Sequence, residues 1–304
     1  MPCCIIFTMK KILLLDGGMG QTLVMRSHRP VTPLWSADVM LNESHLVEDL
    51  HLEYIQAGAK VITLNTYTAT PERLKKAGWE DKIHDIHQAA LLAAQNAVKR
   101  SGQGDVRIAG CLPPLVASFD HTVVPPEDDC LAQYKEMADL QKGADFYLAE
   151  TLSTTREARA AIQAAKTTQK EVWVSFTLDD SQALALRSGE GLRQAIDDIL
   201  PLKPDAVLLN CSTPETIGHA VHEFTGKLPV RFGAYANAFE EVDSLKPGMT
   251  VSHLKERHDL TPEAYADIAM AWIDAGIDII GGCCVTEPAH IAAIAAHMNA
   301  GRAA

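Results

Sequence analysis

The sequence predicts a single-domain α/β protein of the (β/α)8, or TIM barrel, class. Three observations carry that prediction. Eight short β-branched apolar runs recur along the chain, and they are continuous rather than alternating, as parallel strands covered on both faces are. Each run is followed by a longer segment, most of them with helical patterning, so the strand-then-helix unit repeats eight times. The most unusual polar and sulfur residues fall at the ends of these runs, where a barrel of this class gathers its chemistry. At 304 residues a rule of ~150 residues per domain would give two domains, but α/β barrels run to ~250 residues as one unit. We therefore assign residues 1–10 to an N-terminal extension and residues 11–304 to one barrel.

The eight runs are Lys11–Gly18, Lys60–Tyr67, Val106–Pro113, Asp145–Thr151, Glu171–Leu178, Ala206–Ser212, Val230–Asn237 and Ile277–Cys284. Between them, Glu43–Gly58 reads as a helix stopped by Ala57-Gly58-Ala59, and Asp81–Arg100 as an Ala-rich helix closed by Ser101-Gly102. Thr154–Lys166 and Pro214–Phe224 open on Thr or Pro, as helices do. Pro262–Gly276 and Pro288–Met298 complete the set. Two strand-to-helix stretches, Met19–Asn42 and Asn237–Leu260, are long enough to build or cover a site. An open doubly wound sheet is the alternative, but Asp16-Gly17-Gly18-Met19-Gly20 does not have the spacing of a dinucleotide loop.

Composition narrows the function. Apolar residues make up 47% of the chain and charged residues only 22%, which places it among folded globular chains. The formal charge of -12 argues against a nucleic-acid or anionic-membrane partner, since both need a basic face. No run reaches the ~20 apolar residues of a membrane span. The seven cysteines are odd in number and irregular in spacing, so they do not read as a disulfide framework. A reducing cytoplasm is the expected compartment, and there clustered cysteines point to metal or catalysis.

Six strand ends converge on the predicted mouth: Asp16-Gly17-Gly18, Asn65-Thr66-Tyr67, Glu150-Thr151, Asn210-Cys211, Tyr235-Ala236-Asn237 and Gly281-Gly282-Cys283-Cys284. Cys211, Cys283 and Cys284 become neighbours although far apart in sequence. Three soft thiolates favour zinc and leave a fourth coordination position open, as catalytic zinc sites do. Iron or a disulfide satisfies the same residues. Gly281 and Gly282 are expected to permit the irregular turn that two adjacent ligands require. Other groups read as structural: Cys111 as a small buried residue, His84 and His87 as a solvated helix face, Asp179-Asp180 as a solvated turn, and Asp38 to Asp49 as the exposed face of the first helix. Cys3, Cys4 and Cys130 have no partner pattern.

The Asp16–Gly20 segment, Leu34-Trp35-Ser36-Ala37, Ala57-Gly58-Ala59 leading to Asn65-Thr66-Tyr67, Ala149–Leu152, Val174–Thr177, Asn210-Cys211 and Gly281–Cys284 together resemble the homocysteine S-methyltransferase family, from about Leu13 to Ala296. The resemblance implies a zinc-dependent barrel that methylates a thiol in methionine biosynthesis. It implies that Cys211, Cys283 and Cys284 hold zinc, and that the zinc-bound homocysteine thiolate attacks the methyl donor. Glu150 would take the substrate ammonium and the backbone around Gly17-Gly18 its carboxylate, with Asp16, Thr66, Thr151 and Asn210 in the same substrate half. Asn237 matches the region where some members place a polar residue on the vacant zinc position.

The donor half departs from the family pattern. Val285 stands where many relatives have Gly, Cys111-Leu112-Pro113-Pro114 replaces a Gly-Pro-Tyr-Gly-like run, and Ala236 precedes Asn237 where Pro is common. The length resembles free-standing members that use a methylsulfonium donor, S-methylmethionine or S-adenosylmethionine, rather than the cobalamin- or betaine-dependent branches. Tyr67, Phe119 and Tyr235 are the candidate aromatic lining for a sulfonium. The alternatives are methylation of another thiol or a selenol such as selenocysteine, or thiol and zinc binding without turnover. The sequence leaves the start at Met1 or Met9 and the oligomeric state open.

Overall fold

A computed structural model describes residues 12–30, 34–182, 184–242, 244–245 and 251–303. The N-terminal extension, with Cys3, Cys4 and both candidate starts, lies outside the described residues. Eight parallel strands follow one another around a single sheet: β1 Leu13–Leu14, β2 Val61–Thr63, β3 Arg107–Leu112, β4 Phe146–Leu152, β5 Val172–Phe176, β6 Ala206–Asn210, β7 Arg231–Tyr235 and β8 Ile279–Ile280. β1 pairs with β8 through Leu13–Ile279 and Leu14–Ile280, and a parallel bridge from Leu15 to Val61 closes the circle. The (β/α)8 barrel read from the sequence is the observed fold.

Each strand lies within its apolar run, apart from Leu152, which extends β4 by one residue. The helices are α1 Gly20–Arg26, α2 Ser36–Asn42, α3 Ser44–Gln56, α4 Pro71–Lys76, α5 Ile83–Ser101, α6 Glu127–Leu140, α7 Thr155–Lys166, α8 Leu192–Ile199, α9 Pro214–Phe224, α10 Pro262–Ala275 and α11 Pro288–Ala303. Their starts are built from Thr caps: Thr70, Thr154, Thr213 and Thr261 each accept a hydrogen bond from the backbone N–H three residues on, and proline opens α4, α9 and α10. The stretch 19–42, read as a long loop, contains α1 and α2. Each is only seven residues long, too short to show the extended periodicity that announces a helix.

Two layers of core follow from the strand alternation. Outward residues and the inner helix faces form one large cluster. Inward residues fill the barrel: Leu15, Val61, Ala109, Phe146, Leu148, Trp173, Ala206, Leu208, Tyr235 and Ile279. At the strand-entry end the Phe146 and Trp173 rings pack with centroids 4.3 Å apart, and the Arg107 guanidinium covers Phe146 at 4.3 Å. That end is therefore plugged, and among the described residues the strand-exit end offers the opening.

Two surface assignments are corrected. Asp38 is buried and accepts from Arg29 Nε at 2.8 Å, so it is no part of an exposed face. His87 is fully buried, with Nε2 2.9 Å from the Ala69 carbonyl, and burial pushes its pKa down to about 4; only His84 faces solvent. Asp180 is likewise more than a solvated turn: it accepts from Arg187 at 2.7 Å and from the Thr213 N–H at 2.8 Å. Among the described residues no helix is long and apolar enough to cross a membrane.

Candidate active site

The open end of the barrel holds a cavity of about 150 Å³. The exits of β6 and β8 bring Cys211, Cys283 and Cys284 together, with all three Sγ atoms within 4.8 Å of one another. Cys211 Sγ lies 2.8 Å from Cys283 Sγ and 3.7 Å from Cys284 Sγ. A disulfide would need ~2.05 Å, and two thiolates on a tetrahedral zinc at ~2.3 Å stand about 3.8 Å apart. All three cysteines are free thiols. Cys284 accepts from Cys211 and Cys283, which holds its thiol well below the usual range, while donating to Cys283 and Cys284 pushes Cys211 up. Such a cluster has the soft donors a metal ion would need. It is the one such group of His, Cys, Asp or Glu among the described residues.

The turn that aims two adjacent cysteines inward does not use glycine freedom as expected. Gly281 and Gly282 keep ordinary φ; the left-handed residues are Cys211 at φ 53° and Val285 at φ 67°. Val285 thus occupies a conformation costly for a β-branched residue and natural for glycine. The glycines answer to space instead. A Cβ on Gly282 would stand 2.0 Å from Thr286 Oγ1, and one on Gly18 would stand 2.5 Å from the Cys283 carbonyl and 3.1 Å from Cys284 Cα. Gly18→Ala should displace the cysteine turn and weaken metal binding by roughly 10- to 100-fold, the scale of a disturbed ligand support. Competition with a chromogenic chelator measures it, and an unchanged affinity would contradict the assignment.

Sequence reasoning missed the residues that fasten this turn. Thr286 Oγ1 donates to the Cys283 carbonyl at 2.6 Å, and the Gly18 N–H donates to the Thr286 carbonyl at 2.9 Å. Tyr54, on α3, shares its hydroxyl between the Gly18 and Thr286 carbonyls at 2.9 Å each. Their only signal in the sequence is proximity to a motif, which Tyr54 lacks. Because Gly18 N–H is engaged, the expected carboxylate cradle narrows to Gly17, whose N–H has no partner among the described residues.

Glu150 continues the inward face of Phe146 and Leu148. The β4–β5 register shifts between Ala149 and Leu152, with Thr151 at φ 60°, so the strand bulges where it must deliver this side chain. Cys111 Sγ donates to Glu150 Oε1 at 3.1 Å and the Tyr235 hydroxyl to Oε2 at 3.3 Å. Cys111 is thus a partner of the site as well as a buried residue. Burial pushes the Glu150 pKa up to about 7. Asp16, which accepts from the Thr63 N–H at 2.7 Å, is pushed up to about 8 by burial, with Glu150 adding repulsion. Two carboxyls lining one cavity, each pushed toward neutrality by burial, form a receptor for a cation.

The other predicted residues divide. Thr151, Tyr67, Phe119 and Tyr235 line the cavity with Asp16, Gly17, Gly18, Glu150 and the three cysteines. Asn210 stands behind the wall: its Oδ1 accepts from Thr151 N–H at 2.9 Å and Ser175 Oγ at 2.7 Å, and its Nδ2 donates to Thr151 Oγ1 at 2.8 Å. It positions Thr151, and its Nδ2 also approaches Cys283 Sγ at 3.8 Å. Thr66 is fully buried beside Cys111 and also stands outside the cavity lining. Asn237 Oδ1 accepts from the Phe239 N–H at 3.2 Å, and its buried Nδ2 has no partner among the described residues. Phe119 is covered by the Arg187 guanidinium at 4.9 Å. Trp35 and Arg73 also line the cavity and were not anticipated there.

Comparison with known proteins agrees with this geometry. A family model described as Homocysteine S-methyltransferase matches residues 13–298. The Homocysteine S-methyltransferase of Escherichia coli (strain K12) is 29% identical over 94% of this chain and 94% of its own length. The Selenocysteine Se-methyltransferase of Brassica oleracea var. italica is 24% identical over 95% of this chain and 91% of its own. The crystal structure of the homocysteine methyltransferase MmuM from Escherichia coli, metallated form, superposes with a TM-score of 0.79 at 26% identity, covering 95% of this chain and 97% of that one.

Proposed function

The chain belongs to the homocysteine S-methyltransferase family, and on that footing we propose that it moves a methyl group from a methylsulfonium donor to the sulfur of L-homocysteine, giving methionine. The observation that carries the reading is the placement of the three-sulfur cluster and the Asp16–Glu150 carboxyl pair in one cavity. The donor is S-methylmethionine or S-adenosylmethionine, the metal is zinc, and the compartment is the reducing cytoplasm. The whole barrel acts as one domain behind a short N-terminal extension.

Cys211, Cys283 and Cys284 would hold the ion. Zinc bound there supplies the Lewis acidity that keeps a coordinated thiol deprotonated near neutral pH, where a free thiol of pKa ~8.5 is mostly protonated. Glu150 and Asp16 bind the substrate ammonium, and the Gly17 N–H receives its carboxylate. Thr151, held by Asn210, completes that wall. The substrate sulfur forms a bond to the methyl carbon while the donor's carbon–sulfur bond breaks, its electron pair returning to the donor sulfur. An anion and a cation become two neutral thioethers, so no protein base and no oxidant enters the step. Tyr67, Phe119 and Tyr235 give the sulfonium aromatic surroundings. The likeness to a selenocysteine Se-methyltransferase supports a second reading, in which the acceptor is a selenol in the same seat.

Zinc-loaded protein incubated with homocysteine and each candidate donor should form methionine with a methylsulfonium. Absence of product with sulfonium, betaine and methyl-folate donors alike would overturn the reading. Competition between homocysteine and selenocysteine decides the acceptor.

A further inference from the structure

Arg73 is a cation lining the cavity that has no salt-bridge partner among the described residues. It sits in the first turn of α4, where Thr70 fixes the helix start by accepting from the Arg73 N–H at 3.2 Å and donating to the Leu115 carbonyl at 2.6 Å. Its guanidinium is held from two sides. Nη2 donates to the Pro114 carbonyl at 3.1 Å and approaches Ser118 Oγ at 3.4 Å, and the group lies over the Tyr67 ring at 5.4 Å. Ser118 in turn bonds the Tyr67 hydroxyl at 2.9 Å. Nε is buried without a partner, and among the described residues no carboxylate stands within 4.0 Å of the group. The carboxyl that acts on it from farther off, Glu157, is committed to the Leu115 N–H at 3.0 Å and is itself pushed toward the neutral form by burial. A guanidinium with open donors in a cavity, steered by neutral groups and given no counter-charge, is arranged for an anionic ligand.

We propose that Arg73 is the carboxylate-recognising residue of the donor subsite, so that the donor is an amino-acid sulfonium whose α-carboxylate docks on the guanidinium. This rests on the methylsulfonium reading above. The acceptor's charged groups are already provided for on other elements, at Glu150, Asp16 and Gly17. Arg73 instead stands in the first turn of α4 against the β3 exit loop, where Cys111-Leu112-Pro113-Pro114 departs from the family pattern. Tyr67, which the guanidinium covers, lines the same cavity as Arg73 and Cys211. A sulfonium alone is repelled by Arg73. A sulfonium carrying a carboxylate places opposite charges where each is wanted, so Arg73 selects donors by their carboxylate.

The test is calorimetric binding of S-methylmethionine and of its carboxamide to zinc-loaded protein without homocysteine. Wild type should bind the carboxylate form roughly 10- to 100-fold more tightly, the scale of a charged hydrogen-bonded contact. R73Q should lose that difference by weakening S-methylmethionine, while carboxamide binding stays equal or tightens as the repulsion is relieved, and homocysteine binding and zinc content stay unchanged. R73K should recover part of it and guards against a misfolded R73Q. Equal weakening of both sulfonium ligands, weakening of homocysteine instead, no effect, or no binding of S-methylmethionine by wild type each overturns the assignment. Arg73-dependent binding without methionine formation would overturn the proposed reaction and support the subsite. Methionine formation with an unaltered donor KM in R73Q would do the reverse.

Discussion

Cys283→Ser is expected to empty the metal site and to lower methionine formation by at least about 10³-fold. Structural zinc in small cysteine-rich sites contributes roughly 10–16 kcal/mol in all, so removing one of three protein ligands forfeits several kcal/mol, and each ~1.4 kcal/mol is tenfold in affinity. A serine hydroxyl is a hard donor that stays protonated near neutral pH and cannot substitute for a thiolate. The fold should survive. The Cys283 N–H donates to the Ala236 carbonyl at 2.9 Å and its carbonyl accepts from Thr286, and both bonds are backbone features the substitution keeps. Metal content by emission spectrometry, thermal unfolding by circular dichroism and product formation separate these claims. Cys130→Ser is the control, because that thiol is tied to the Pro125 carbonyl at 3.4 Å and belongs to no cluster. Full zinc retention in Cys283→Ser would remove the ligand assignment.

The cysteine cluster was legible because ligands sit at strand ends, and strand ends were legible because buried parallel strands are continuous apolar runs. Cys211 and Cys283 needed no knowledge of long-range packing once each was placed at the exit of its own strand. What supports them was not legible. Tyr54 reads as one apolar residue of α3, and nothing local says that its hydroxyl reaches the Gly18 and Thr286 carbonyls. Asn210 and Thr66 read as mouth residues because strand alternation is known only to within a residue from sequence, and the β4 bulge brings the Thr151 N–H to Asn210. Gly281 and Gly282 read as turn glycines, whereas the crowding that requires them comes from Leu15 after the neighbouring strand β1 and from Thr286 in the turn that follows. His87 and Asp38 read as surface because polarity alone suggests it, while tertiary partners at Ala69 and Arg29 made burial possible. Arg73 was missed for the same reason. A cation in a lysine- and arginine-rich helix looks solvated until the cavity is seen.

Glu150→Gln should raise the homocysteine KM by about two orders of magnitude, the scale of removing one partner of a buried charge pair, with kcat changing much less. The same substitution should reshape the pH dependence. In the free enzyme burial, and then the charge of Cys283, pushes Glu150 up to about 7, and burial with the added charge of Glu150 pushes Asp16 up to about 8. Below these values the pair is protonated and offers an ammonium nothing to bind, so kcat/KM for homocysteine should fall as pH drops from about 8 to about 6. Stability runs the other way. Both carboxyls have folded pKa values above their unfolded ones, so their contribution to folding is fully present below pH ~4 and is lost as pH rises through 7 to 8. The unliganded protein should therefore melt lower at pH 9 than at pH 6, and saturating homocysteine should reduce that drop by supplying the missing cation. In Glu150→Gln the lower step of the kcat/KM profile should vanish, and the drop in melting temperature should shrink, because the amide never ionises and no longer repels Asp16. Retention of the wild-type KM and pH profile in this variant would show that the substrate ammonium binds elsewhere. Cys111→Ala separates recognition from support, since it removes the thiol that donates to Glu150 Oε1 at 3.1 Å while leaving the carboxylate in place. A rise in KM smaller than that of Glu150→Gln, with both pH steps retained, is the result expected of a group that only orients the binding carboxylate.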